Sequence, residues 1–170
     1  MNKYFASAYQ FGVLGGILSI VSFGLLSFLQ PDPTNLNLVF GYVITPISIF
    51  LALKFFKDFT NSGYLSFAEG MSVGFVAYMI IAIVSGLGIW IILLLFPDLF
   101  QAILDSKLNV LSQNQQTIID QLGEPSFQNT LENIREMVPL DVALSDSLWK
   151  IIPGLFFTII ISIILRKNPN

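Results

Sequence analysis

The sequence predicts an all-α membrane protein of four transmembrane helices, with an extracytoplasmic helical hairpin between the third and the fourth. Three observations predict it. The 170-residue chain is 54% hydrophobic and 11% charged, with a mean hydropathy of +0.75, whereas a soluble domain carries about 25% charged residues. Long stretches carry no charge at all. The one sizeable polar segment, 98–146, repeats its apolar residues at helical spacing. The chain 1–170 therefore reads as a single integral membrane domain, with spans at about 6–29, 36–53, 70–96 and 147–165 and an outer helical loop at 98–146.

The first charge-free run, Tyr4 to Pro31, has 28 residues; a spanning helix needs roughly 20. Its apolar part is longer than a signal-peptide core of roughly 7–15 residues, and no small-x-small cleavage site follows, so a retained helix is expected. Ala8, Gly12 and Gly16 recur every fourth residue, with Gly15 and Ser19 beside them. Such a face lets another helix backbone approach closely.

The second run, Pro33 to Leu53, has 21 residues. Pro46 inside it leaves the carbonyl of Tyr42 without its helical donor. The run ends in "KFFKDF". Lys54 and Lys57 there read as solvated anchors of the helix end, or as contacts for anionic lipid headgroups.

The third run, Gly70 to Pro97, has 28 residues and follows "GYLSFAEGMSVGF". Ser66 and Glu69 form an S-x-x-E capping box, in which the hydroxyl accepts from the third backbone N–H and the carboxylate returns to the Ser N–H. Glu69 also lies at the positive end of the helix dipole. Gly70 and Gly74 form a second G-x-x-x-G. The expectation is that the first and third helices cross at Gly12, Gly16, Gly70 and Gly74. Ser85, Gly86 and Gly88 make a further small patch along the third helix.

In the outer loop, Leu104, Leu108, Leu111, Ile118 and Leu122 form a seam interrupted at Gln115. Gly123 stops that helix, and a second, starting at Ser126, carries Phe127, Leu131, Ile134 and Val138. Packed on each other, the two make an antiparallel hairpin. The fourth span is the shortest in uncharged residues, 15 from Ile151 to Leu165. Starting it at Ser147, with Trp149 at the interface and Lys150 snorkelling to the headgroups, lengthens it enough. With these bounds no Asp, Glu, Lys or Arg falls in the middle third of any span, which argues against an ion-coupled pump.

Four spans put both ends on one side. That side holds Lys3, Lys54, Lys57, Arg166 and Lys167; the other holds Lys107, Arg135 and Lys150. The bias of five to three places both termini in the cytoplasm. The absence of Cys and His removes thiol nucleophiles, disulfides and nearly every zinc or haem site. No Walker loop, dinucleotide fingerprint or nucleophile elbow is present. The net charge of −3 gives no basic footprint for nucleic acid. No cofactor or metal is expected.

Together, "KFFKDF", "GYLSFAEGMSVGF", the exit "FPDLFQAIL" and the tail "LRKNPN" make the chain resemble one family. It is the family of bacterial inner-membrane proteins catalogued as domain of unknown function 4199. The resemblance implies four spans, a large loop between the third and fourth, and no activity. The function expected is a non-enzymatic packing, scaffold or partner-binding protein in the lipid bilayer. Its partner would be another protein or a second copy, met through the outer hairpin. The alternative is a small oligomeric transporter or channel for an uncharged or lipophilic solute, lined by Thr45, Ser48, Ser72, Ser85 and Thr158. A membrane enzyme is the third reading; only Asp58 and Glu69 share the inner side for it.

Overall fold

The computed structural model describes residues 3–168; the two residues at each end of the expected 1–170 domain lie outside the described residues. Seven α-helices follow one another: α1 Lys3–Ser27, α2 Thr34–Phe55, α3 Phe67–Leu95, α4 Pro97–Gln113, α5 Gln115–Leu122, α6 Glu124–Arg135 and α7 Pro139–Leu165. A π-helical turn, Phe56–Thr60, extends α2. Among the described residues, β pairing is limited to one isolated bridge between Leu65 and Lys167.

Helices α1, α2 with its π turn, α3 and α7 are each long and apolar enough to cross a membrane. Each is predominantly apolar, with no separate polar face. They pack in a ring, α1 against α3, α3 against α7, α7 against α2 and α2 against α1, with α2 also reaching α3 across it. One core fills the end near the termini, around Ala8, Ile49, Leu53, Phe56, Val73 and Ala77. A second, around Phe23, Ile89, Phe100, Ile103 and Val142, seats α4 on the opposite end of the bundle.

The fourth span departs from the sequence reading. The helix that carries it begins at Pro139, eight residues before Ser147, so Lys150 lies well inside that helix. Val142, Ala143 and Leu144 already continue the apolar helix, and Asp141 starts it by accepting from the Val138 N–H at 2.8 Å. Lys150 thus falls in the middle third of the helix that carries the fourth span.

The polar segment 98–146 also differs from two stripes. The seam breaks at Asn114, dividing the first helix into α4 and α5, and α6 starts at Glu124 instead of Ser126. Gly123 turns the chain between α5 and α6 with φ +84° and ψ 157°, an essentially glycine-only conformation that costs other residues about 1–3 kcal/mol. Helix α6 packs on both α4 and α5, with Phe127 and Leu111 buried.

Candidate functional site: a buried charge pair under the cap

The helix-packing glycines divide between two interfaces. A Cβ on Gly12 would lie 2.8 Å from Ile80 Cβ, and one on Gly16 would lie 2.6 Å from Val84, so these two do meet α3. Gly70 and Gly74 do not meet α1. A Cβ on Gly70 would lie 2.5 Å from Ser162 Oγ, and one on Gly74 would press into Thr158; both belong to α7. The expected crossing of four glycines is corrected for this pair. From Gly70 to Ile80 is ten residues, which at 3.6 per turn places the two faces of α3 about 80° apart. Gly86 and Gly88 continue the division, the first against Ser147 of α7 and the second against Ile20 of α1.

At the terminal end, Ser66 and Glu69 make a reciprocal cap. Glu69 N donates to Ser66 Oγ at 3.3 Å, and Ser66 N donates to Glu69 Oε2 at 3.0 Å. The carboxylate also pairs with Lys3 of α1 at 3.2 Å and accepts from Asn61 Nδ2. Glu69 thus ties α1, the π-turn loop and α3 together. Lys54 pairs with Asp58 one turn on, at 3.4 Å, and is exposed; Lys57 is half-buried.

The group of residues that sequence reasoning missed lies at the other end. Lys150 is 2% exposed and Asp146, one turn earlier on α7, is 8% exposed; the two form an ion pair. Asp146 Oδ1 accepts from Asn37 Nδ2 of α2 at 2.9 Å, and Oδ2 accepts from Ser85 Oγ of α3 at 3.1 Å. Three spans therefore converge on one carboxylate. The Lys150 stem runs past Gly41, where an added Cβ would lie 3.4 Å from Cε. On the same face of α2, Asn37 Oδ1 and Thr45 Oγ1 are buried without a hydrogen-bond partner. An ammonium has three donors, so Lys150 carries donors beyond its bond to Asp146. The Lys150 head is held inside the bundle by a carboxylate one turn away.

Two sequence signals could have revealed this: a D-x-x-x-K spacing whose flanks stay apolar, and Asn37, which with Asn35 interrupts the start of an apolar run. Of the expected lining groups, Thr45, Ser48, Ser85 and Thr158 are buried in the bundle. Ser72 is apart from them, half-exposed, its hydroxyl donating to Ala68 O.

Above the pair is a cavity of about 170 Å³ between α2, α3, α4 and α7, with Asp146 among its walls beside Thr34, Leu38, Lys107, Asp141 and Trp149. Lys107 of α4 spans its rim, pairing with Asp32 at 3.1 Å and donating to Thr34 Oγ1 at 3.3 Å. Thr34 N and Oγ1 both donate to Asp32 Oδ1, at 2.9 and 2.6 Å. This clamp fixes the cap helix to the start of α2. Among the described residues, no group of three or more His, Cys, Asp or Glu is placed to hold a metal ion.

No curated protein and no solved structure matches the chain significantly. A family model, described as Protein of unknown function (DUF4199), matches residues 10–167, which takes in most of α1, all of α2, α3 and α7, the cap and the Asp146–Lys150 pair. The chain belongs to that DUF4199 family.

Proposed function

We propose that this chain is a non-enzymatic, multi-pass protein of the bacterial inner membrane, with both termini cytoplasmic, that binds a small solute in the cavity above Asp146–Lys150. The observation that carries this reading is a buried ion pair whose carboxylate, Asp146, lines the cavity. Taking two charges out of water costs several kcal/mol per ion, and a hydrophobic pair of similar volume is often as stable or more so. Ionisable groups kept inside a span usually serve a solute or ion path. Binding is favoured over catalysis because Asp146 already accepts from Asn37, Ser85 and Lys150, and neither Cys nor His is present to act beside it. A charge-lined cavity suits a polar solute better than the uncharged or lipophilic one expected from the sequence.

The scaffold reading keeps one specific support. Helix α5 has no buried residue, and Leu122 is 66% exposed, with Val110 on α4 similarly open. A protein partner or a second copy covering α5 would bury them.

Single-cysteine labelling tests the main reading, since the chain has no native Cys. In intact spheroplasts, a membrane-impermeant maleimide should modify Ser145→Cys and Gln115→Cys but not Lys167→Cys. Protection of Ser145→Cys while Gln115→Cys reacts would close the cavity to outside solute. Labelling of Lys167→Cys instead of Gln115→Cys would invert the topology. Cross-linking from Leu122→Cys that recovers only monomer would remove the scaffold reading.

A further inference from the structure

We infer that the cavity beside Asp146 takes a small solute bearing a primary ammonium group. The inference rests on the solute-binding reading and names its ligand class. Charge is the first reason. The charged residues lining the cavity are Asp141, Asp146 and Lys107. Asp146 is paired with Lys150 and Lys107 with Asp32, so Asp141 leaves one negative charge for a monocation to balance.

Hydrogen bonding is the second reason. An ionised carboxylate offers about four acceptor positions. Asp146 uses one on Oδ1 for Asn37 and two on Oδ2 for Ser85 and Lys150. The remaining position is on Oδ1, and Asp146 lines the cavity. The second nearby carboxylate, Asp141, spends one oxygen on the Val138 N–H and is otherwise exposed. An N–H donor carrying positive charge satisfies both facts; an anion satisfies neither.

The walls and the size complete the class. Phe23, Leu38, Met137 and Trp149 give an apolar and aromatic lining, which suits the alkyl part of an organic cation and the attraction of an ammonium to ring faces. A bare metal ion would need an oxygen cage, and no acidic cluster of that kind is present among the described residues. The volume of about 170 Å³ equals roughly five or six waters at about 30 Å³ each, which admits an amine of a few heavy atoms. Two sources share this chemistry: a free alkylammonium from the aqueous side, and the ethanolammonium headgroup of a neighbouring phosphatidylethanolamine.

The test uses the full chain in a neutral glycoside detergent, followed by thermal unfolding. Ethylammonium chloride should raise Tm saturably, beyond sodium chloride at equal ionic strength and beyond ethanol. Asp141→Asn keeps the acceptor for Val138 but removes one charge, and should move half-saturation to several-fold higher concentration. Leu38→Trp enlarges a side chain of the cavity wall on α2, leaving Asp146 and Lys150 themselves unchanged, and should abolish the response, as should Ser145→Phe if Leu38→Trp fails to fold. In nanodiscs, a higher Tm in phosphatidylethanolamine than in phosphatidylcholine, with a blunted ethylammonium response, assigns the lipid headgroup. An equal ethylammonium response in both assigns the free amine. No saturable effect beyond sodium chloride overturns the inference, and so does a response that survives filling of the cavity. If Ser145→Cys is still labelled from outside in that case, the ligand class has failed while the solute-binding reading stands.

Discussion

Removing one member of the Asp146–Lys150 pair should damage the protein more than removing both. In Asp146→Leu, Lys150 remains buried with no counter-charge, and Asn37 Nδ2 and Ser85 Oγ lose their acceptor. Breaking a buried pair costs about 3–5 kcal/mol, and the two stranded donors place this variant near the upper figure. Lys150→Met leaves the carboxylate with its bonds from Asn37 and Ser85, which places it near the lower one. The double variant Asp146→Leu/Lys150→Met strands only the two neutral groups, at about 2 kcal/mol. For a chain of this length, each kcal/mol moves Tm by about 2–4 °C. The expected losses are then roughly 10–20 °C, 6–12 °C and 4–8 °C respectively, read by thermal unfolding in nanodiscs of fixed lipid composition. Wild-type stability in Asp146→Leu would refute the reasoning, and so would a double variant that loses the sum of the two single losses.

Three further perturbations are expected to separate local causes. Gly74→Ala presses a Cβ into Thr158 and should cost about 1–3 kcal/mol. Gly24→Ala meets nothing within 4 Å and should be neutral or gain about 0.5–1 kcal/mol; equal Tm for the two would remove the α3–α7 contact as a close one. Ser66→Ala deletes the cap acceptor for the Glu69 N–H and should cost about 1 kcal/mol, with faster amide exchange confined to the first turn of α3. Asp32→Asn weakens the clamp to Lys107 and should raise proteolysis of the cap helices while the four spans stay protected; unchanged cleavage would mean that apolar packing alone seats α4.

The sequence made the four spans legible because lipid permits few exceptions. A backbone crossing hydrocarbon must satisfy its own hydrogen bonds, so a long uncharged run has one structural solution. The Ser66–Glu69 cap was legible for a related reason: both of its partners lie within one turn, and no other part of the fold decides whether they meet. Glycine faces were half-legible. Spacing shows that Gly12 and Gly16 share a face, and that Gly70 and Gly74 share one. Which neighbour each face meets depends on how α3 is rotated between α1 and α7, and no local pattern carries that rotation. The Asp146–Lys150 pair was hidden by the rule that found the spans. A search for charge-free segments starts the fourth helix after its last charge, which pushes Lys150 to the boundary where a snorkelling lysine is unremarkable. Its partners Asn37 and Ser85 lie on two other helices, 109 and 61 residues from Asp146.

The most direct measurement is solid-state NMR of the protein reconstituted in lipid bilayers, with ¹⁵N in the lysine side chains and ¹³C in the aspartate carboxyls. Dipolar recoupling should show one strong contact between Lys150 Nζ and the Asp146 carboxyl carbon, lost in Lys150→Met and shielded from exchange with bulk water. A Lys150 signal with no such contact, exchanging as fast as the headgroup-level lysines, would contradict a paired charge inside the bundle.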